Sequence, residues 1–223
     1  MDIAIVDGHI HTIGKNLKGT ADRQIDAAGL ALSAGFIDLH THLGPITLYP
    51  SAESHVRMGV TTALGGPDGT SYIPLGAYLD SLNRLGVGLN VAYLAGHNTI
   101  RGQVMGLENR FSNSEELDAM RLLVKEGMED GAFGISTGLK YLPGTYAHID
   151  EVIALSKIAA QMNGFYTSHL REEGLGLIEG VAEAITIADQ AKIPVVLTHH
   201  KVVGFPMWGS STKTLAMVDS ARN

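Results

Sequence analysis

Short apolar runs alternate along most of the chain with stretches in which apolar residues recur at helical spacing. Beyond about residue 35, this alternation repeats through six strand-and-helix units. Strands that alternate with helices build parallel sheets covered by helices, so the pattern predicts an α/β fold. The predicted strands are 36–40, 60–64, 90–94, 132–136, 165–168 and 194–198. The predicted helices are 52–58, 75–85, 114–129, 151–161, 177–191 and 212–222.

Two of the predicted helices begin at polar residues suited to capping. We expect Ser112 or Ser114 to cap the helix 114–129, and Asp150 to cap the helix 151–161. Such side chains accept a hydrogen bond from a backbone N–H that the first helical turn leaves free.

The first 34 residues have a different pattern. Isoleucines recur there among the turn sequences Asp7-Gly8 and Gly14-Lys15-Asn16, which predicts a β-hairpin. We therefore expect two segments, a β-rich one over 1–34 and the strand-and-helix units over 35–223.

The number of units bears on the architecture. A closed barrel of eight strand-and-helix units takes about 250 residues, whereas this chain of 223 residues ends without a predicted seventh strand. Either six strands form an open sheet or the chain is part of something longer, and we expect the latter. The first residues contain no basic segment and no cleavage signature, so they do not resemble a signal peptide, and we expect a cytoplasmic protein.

Composition excludes several classes of protein. The chain is 45% hydrophobic and 17% charged, as in proteins with a packed core, and it has no apolar run of the roughly 20 residues that a membrane helix needs. A net charge of −7 argues against binding to a nucleic-acid backbone. Because there is no cysteine, disulfides, thiolate metal ligands and cysteine nucleophiles are excluded, and a metal would need histidine, carboxylate or modified lysine ligands.

Side chains that bind metals follow nearly every predicted strand. His40 and His42 end the first strand two residues apart, a spacing that turns both side chains to one face. Asp68, His169 and His199 follow the second, fifth and sixth strands. Because the carboxyl ends of parallel strands meet at one edge, we expect these nitrogen and oxygen donors to bind a divalent metal such as Zn²⁺.

Four sequence segments together resemble one enzyme family. The opening segment 35–42 (GFIDLHTH) is similar to the first barrel strand of the amidohydrolase superfamily. The segments 134–141 (GISTGLKY), 167–171 (TSHLR) and 198–201 (THHK) narrow the resemblance to D-aminoacylases, also called N-acyl-D-amino-acid deacylases. The segments 96–101 and 104–106 are similar to that family too, and the resemblance extends over essentially the whole chain.

The resemblance implies a fold, a set of ligands and a cofactor. The fold would be a TIM-type (β/α) barrel, here incomplete with six units, together with part of a small β-sandwich at the N-terminus. His40, His42, His169 and His199 match the ligand positions of the family, and the cofactor would be one or two Zn²⁺ ions. Tyr141, Arg171 and Lys201 are candidates for binding the substrate.

The chain departs from the family pattern at two places. Where D-aminoacylases have a cysteine ligand within Gly-Asn-Cys-Gly, this chain has Gly66-Pro67-Asp68-Gly69, so we expect Asp68 to replace the thiolate. The catalytic aspartate of the family follows the eighth barrel strand and so lies beyond residue 223. We therefore expect this chain to show little turnover even with zinc bound.

For most of the remaining candidate residues, the sequence favours a structural role. We expect His9 and His11 to be structural despite their spacing, and the same holds for His55, His148 and His200. For His97, a hydrogen-bonding role near the site and a simple loop position are both open. Lys140 invites comparison with the carboxylated lysine of dihydroorotases, but its position beyond the fourth strand argues against that role.

The predicted function is metal-dependent cleavage of the amide bond of small N-acyl amino acids, of D configuration. An alternative enzyme is a cyclic amidase similar to dihydroorotase or hydantoinase. The alternative from another class is a catalytically incomplete fragment that binds metal without turnover. We expect no nucleic-acid or membrane partner.

Overall fold

The computed structural model describes residues 1–222 of the chain. These residues divide into two compact units, Met1–Ala34 and the part that begins at Gly35. Each unit is described by itself below.

The first unit contains one antiparallel hairpin. Strands β1 (Asp2–Val6) and β2 (His9–Gly14) pair over their length, with an irregularity between Ala4 and Ile5. The turn residues Asp7 and Gly8 both have positive φ, at 50° and 76°, as the favoured two-residue hairpin turns require. The hairpin therefore lies where the turn sequences predict it. The β-sandwich that the resemblance implies stays a prediction.

The second unit is built on parallel strands in chain order. One sheet has the order β3-β4-β5 and the other the order β6-β7-β8-β9, with every neighbouring pair parallel. The strands are β3 (Phe36–Asp38), β4 (Val60–Gly65), β5 (Asn90–Tyr93), β6 (Ala95–Gly96), β7 (Gly134–Gly138), β8 (Phe165–His169) and β9 (Val195–Leu197).

The two parallel sheets are joined through a single residue. Only Leu94 separates β5 from β6, and its N–H donates to the carbonyl of Gly65 at 3.0 Å. The predicted third strand 90–94 therefore corresponds to β5 and Leu94, and β6 follows it as a further short strand. Among residues 1–222, β3 pairs with β4 alone and β9 with β8 alone, so parallel α/β architecture is present and a closed barrel stays a prediction.

Seven helices follow the strands in the described chain. They are α1 (Glu53–Val56), α2 (Leu75–Leu85), α3 (His97–Met105), α4 (Ser114–Glu129), α5 (Ile149–Gln161), α6 (Leu177–Ala191) and α7 (Ser211–Arg222). Helices α2, α4 and α6 have the predicted bounds, whereas α3 occupies a region that we expected to be a loop. Among residues 1–222, none of these helices is long and apolar enough to cross a membrane.

The capping residues differ from those predicted. Asn113 caps α4, because its side chain accepts from the N–H of Glu116 and the Glu116 carboxylate accepts from the N–H of Asn113. This reciprocal pair satisfies two free donors at once, which neither serine does. His148 caps α5 by accepting from the N–H of Asp150, which lies inside the first turn.

The core lies between the strands and the helices that cover them. Ile135 on β7 and Tyr166 on β8 are fully buried, against Met120 and Val124 of α4 and Leu155 of α5. Burying one such side chain contributes about 1.5–3 kcal/mol, so this layer stabilises the strands on which the site is built.

Candidate metal centre

Five side chains meet just beyond the carboxyl ends of four parallel strands. They come from the segments after β3, β4 and β9 and from the last residue of β8: His40, His42, Asp68, His199 and His169. Strand β3 ends at Asp38 instead of at residue 40 as predicted, because the N–H of His40 donates to the Asp38 carboxylate and not to a neighbouring strand.

Asp68 lies at the centre of this cluster. Its Oδ2 lies 3.3 Å from Nε2 of His42 and 3.8 Å from Nε2 of His40. Its Oδ1 lies 3.7 Å from Nδ1 of His169 and 3.7 Å from Nε2 of His199. The ring centroids of His40 and His199 are 5.1 Å apart, close enough for both rings to reach one metal ion. The sequence-predicted ligand candidates thus lie together.

Two polar atoms of the cluster have no hydrogen-bond partner. Oδ1 of Asp68 and Nδ1 of His169 are both buried and unpaired, although buried polar atoms are nearly always paired. A carboxylate oxygen and neighbouring imidazole nitrogens are ligand atoms that bind Zn²⁺. The residues present therefore fit a divalent metal, and His40, Asp68 and His199 offer three ligand atoms within 4.8 Å of one another.

Burial also favours the protonation state that metal binding needs. Removal from water lowers the pKa of His40 and of His169, against the opposing pull of nearby carboxylates such as Asp68. A lower pKa favours the neutral imidazole, which is the form that binds a metal.

A tight turn holds Asp68 in place. Asp68 has a φ of 54°, and the flanking Gly66 and Gly69 both have 77°. At Gly66 a side chain would collide with the carbonyl of Leu94 at 2.6 Å, so glycine is required there. The buried hydroxyl of Ser136 closes the turn, because it donates to the carbonyl of Gly66 at 2.5 Å and accepts from the N–H of Gly69 at 3.1 Å.

Asn98, on the unexpected helix α3, holds the neighbouring loop. Its side chain accepts from the N–H of Gly138 at 3.0 Å and donates to the carbonyls of Gly138 and Tyr141 at 2.9 and 3.3 Å. The ring of Tyr141 is thereby held with its centroid 4.5 Å from that of His169. Partial burial, with the nearby carboxylates of Asp68 and Glu173, raises the pKa of Tyr141 and keeps its hydroxyl a donor.

Glu173 joins the cluster although we did not predict it. It is buried, its Oε1 lies 3.1 Å from Nδ1 of His199, and its Oε2 lies 3.5 Å from Nε2 of His169. Nζ of Lys201 donates to the same Oε1 at 2.7 Å. The sequence offered one signal for it, which is the pair of carboxylates Glu172 and Glu173 shortly after His169. Only the path of the loop shows that Glu173 is the one that turns toward the cluster.

The three candidate substrate-binding residues have different surroundings. Lys201 and Tyr141 lie beside the cluster. Arg171 does not join it, because its guanidinium donates to the Glu183 carboxylate and to the carbonyls of Thr145 and Ala147. These contacts join the loop after β8 to α6 and to the segment before α5, and binding of substrate by Arg171 stays a prediction.

The other singled-out residues lie outside the cluster. His97 is fully buried at the start of α3, and its Nε2 lies 2.8 Å from the Glu151 carboxylate of α5. Lys140 donates to Glu172 at 2.8 Å. The remaining histidines lie on β2, on α1, at the start of α5 and beside Thr214: His9, His11, His55, His148 and His200.

The chain is similar to D-aminoacylases over nearly its whole length. It is 33% identical to the D-aminoacylase of Alcaligenes xylosoxydans xylosoxydans in an alignment that covers 99% of this chain and 50% of the relative. The chain thus spans about half the length of the curated relatives that it matches. No family model matches the sequence.

Solved structures show the same similarity. A D-aminoacylase structure described for its binuclear metal centre matches with a TM-score of 0.90 and 31% identity, over 96% of this chain and 50% of that one. The N-acyl-D-glutamate deacylase of Bordetella bronchiseptica, in complex with zinc and a phosphonate inhibitor, matches with a TM-score of 0.82 and 32% identity, over 85% and 45%. A dihydroorotase of Geotalea daltonii is 50% identical, but over 19% of this chain and 10% of the relative.

Proposed function

We propose that this chain, a member of the D-aminoacylase family of amidohydrolases, acts in the metal-dependent hydrolysis of the linear amide bond of N-acyl-D-amino acids. The single observation that carries the proposal is the convergence of four imidazoles on the Asp68 carboxylate. The convergence lies in a chain that is similar to D-aminoacylases over 99% of its length.

The proposed cofactor is one or two Zn²⁺ ions. His40, His42, Asp68, His169 and His199 would hold the metal. The chemistry that zinc supplies to hydrolases is Lewis acidity, which polarises a carbonyl oxygen and makes water more acidic. Asp68 supplies the negative charge that offsets part of the charge of the ion, where the family pattern has a cysteine thiolate.

Lys201 and Tyr141 are the proposed substrate-binding residues. The Lys201 ammonium has three donors, and Glu173 engages one of them at 2.7 Å. The side chain is 46% exposed, so a further donor is free to bind the substrate carboxylate from solvent. The protonated hydroxyl of Tyr141 is suited to donate to the acyl or carboxyl oxygen.

Proton transfer is not assigned to any residue of this chain. The resemblance places the general base of the family beyond residue 223. His97 is not proposed as a substitute base, because it is fully buried and its Nε2 is engaged by the Glu151 carboxylate.

A cyclic amidase is the less favoured alternative. A dihydroorotase-like site needs a lysine at the end of the fourth barrel strand. In this chain that strand is β7, and it ends in Ser136, Thr137 and Gly138. Lys140 lies beyond the strand, about half exposed, in an ion pair with Glu172.

Ligand binding to the zinc-loaded chain tests the proposal. The ligands are the two enantiomers of a phosphonate analogue of an N-acyl amino acid, compared by calorimetry with dihydroorotate. We expect the D-configured phosphonate to bind at least about tenfold tighter than the L form, and binding to disappear when a chelator removes zinc. Equal binding of the enantiomers, or preferential binding of dihydroorotate, would contradict the proposal.

A further inference from the structure

His199 bridges two carboxylates. Its Nε2 lies 3.7 Å from Oδ1 of Asp68, and its Nδ1 lies 3.1 Å from Oε1 of Glu173. Each nitrogen of this imidazole thus has a different carboxylate as its neighbour.

His169 bridges the same two carboxylates with its nitrogens reversed. Its Nδ1 lies 3.7 Å from Oδ1 of Asp68, and its Nε2 lies 3.5 Å from Oε2 of Glu173. The rings of His169 and His199 meet edge to face, with centroids 4.5 Å apart. Both oxygens of Glu173 are therefore used, one for each ring.

The two sides of this ring pair differ in how well their polar atoms are satisfied. On the Asp68 side, Oδ1 of Asp68 and Nδ1 of His169 are buried without a hydrogen-bond partner. On the Glu173 side, the carboxylate accepts from Lys201 and faces a nitrogen of each ring. Buried oxygen and nitrogen atoms that have no hydrogen-bond partner are available to bind a metal ion. The metal therefore belongs on the Asp68 side of the ring pair.

An imidazole that binds a metal through one nitrogen carries its proton on the other, and a carboxylate that accepts this proton fixes the ring orientation. We propose that Glu173 is this acceptor for both His169 and His199, and that it positions Nδ1 of His169 and Nε2 of His199 for the metal without binding the metal itself. The inference rests on the proposed metal site.

The surroundings of Glu173 support a positioning role. Its side chain is only 9% exposed, and Nζ of Lys201 at 2.7 Å compensates its buried charge. Its backbone carbonyl accepts from the N–H of Val203 at 2.7 Å, and its N–H donates to Oε1 of Glu172 at 3.0 Å. The loop after β8 is thus fixed on both sides of the carboxylate.

Glu173 as a direct ligand is the rival explanation. His169, Glu173 and His199 also offer three ligand atoms within 4.8 Å of one another. The Lys201 ammonium occupies this place, however, because it contacts both Glu173 and Nδ1 of His199. A metal ion there would have to displace it.

Zinc affinity and coordination of Glu173→Gln test the inference. Chelator competition would measure the affinity of the chain, and X-ray absorption at the zinc edge would count the nitrogen and oxygen donors. We expect zinc affinity to fall about 10–100-fold with an unchanged number of donors, as for other partners of metal-bound histidines. The matched control is Glu172→Gln, which neutralises the neighbouring carboxylate paired with Lys140 and should keep the affinity within about twofold.

Each other outcome is decisive. Unchanged affinity in Glu173→Gln would overturn the inference, and so would loss of one oxygen donor, which would make Glu173 a ligand. If the wild type binds no zinc, both this inference and the proposed function are wrong. If the wild type binds zinc and Glu173→Gln binds it equally well, only the inference is wrong. If circular dichroism shows Glu173→Gln to be unfolded, Glu173→Asp replaces it under the same criteria, because the shorter side chain cannot keep both ring contacts.

Discussion

Oδ2 of Asp68 lies 3.3 Å from Nε2 of His42, and each of the two residues reaches this position from an irregular segment just past its strand. Side-chain hydrogen bonds help to hold these segments beyond the ends of the strands. Ser136 closes the turn around Asp68, and Asp38 holds the N–H of His40. The geometry of the site therefore depends on a few buried polar contacts, which can be removed one at a time.

The charge of Asp68 is the first of these features to test. Asp68→Asn keeps the size of the side chain but removes the anionic donor, so zinc affinity should fall by more than the roughly 10–100-fold typical of residues that act only through a ligand. Asp68→Cys and Asp68→Glu, which keep an anionic donor, should lose less. The measurement is chelator competition, and full affinity in Asp68→Asn would show that Asp68 is not a ligand.

The Ser136 hydroxyl should matter for metal binding although it faces no metal. Ser136→Ala removes both hydrogen bonds that close the Asp68 turn, and we expect zinc affinity to fall about tenfold in a chain that stays folded. Ser156→Ala is the matched control, because Ser156 is equally buried and its hydroxyl has no partner. Equal affinities in the two variants would contradict the role of the turn.

Glu151 should contribute to stability and not to the metal site. Burial alone raises the pKa of Glu151, but hydrogen bonds from His97, Arg101 and Ser112 outweigh it and lower the pKa to about 2. Glu151→Gln leaves Arg101 buried without its ion-pair partner, so the free energy of unfolding at pH 7 should fall by about 3–5 kcal/mol. Urea unfolding measures this loss, with the surface variant Glu129→Gln as the control.

The hydrogen bonds of Glu151 also predict how the free energy of unfolding depends on pH. A carboxyl whose pKa is lowered on folding stabilises the protein above its ordinary value of about 4.5, and this contribution disappears as the pH falls toward about 2. The difference in unfolding free energy between wild type and Glu151→Gln should therefore be constant above about pH 5 and shrink at pH 3.5. If the difference grows on acidification, folding does not lower the pKa of Glu151.

Exposed apolar residues on the edge strand β3 predict self-association. Ile37 is 64% exposed on a strand that pairs on one side only within residues 1–222, and Phe36 is 59% exposed beside it. Such edges pair with other chains, and a lysine blocks this pairing. Ile37→Lys should reduce association measured by light scattering, whereas Leu107→Lys, at a similarly exposed loop position, should not.

Helices α2, α4 and α6 could be predicted to the residue because an apolar face and a clear end are both local features. Helix α2 follows Pro74 and ends just before Gly86, and α6 ends where Lys192 takes a left-handed conformation. Helix α3 was missed because its buried residues include His97 and Arg101, whose burial depends on Glu151 far along the chain.

The site shows the same division between local and long-range features. The ligand candidates could be predicted because parallel strands bring their ends together, and this needs only the strand assignments. Glu173 was not predicted and Arg171 lies outside the cluster, and each follows His169 within a few residues in a loop. Which of the two side chains turns inward depends on long-range partners, Lys201 for Glu173 and Glu183 for Arg171. No spacing rule in the sequence contains that information.

The most direct test of the metal site compares two histidine pairs with the same spacing. The double variant His40→Ala and His42→Ala removes two donors near Asp68, whereas His9→Ala and His11→Ala removes the pair on the hairpin strand β2. Zinc affinity and stoichiometry of both, measured by chelator competition against wild type, decide the question. We predict that the first variant loses at least about tenfold in affinity, or one of two bound ions, and that the second matches wild type. Equal zinc binding in all three proteins would contradict a metal centre at this cluster.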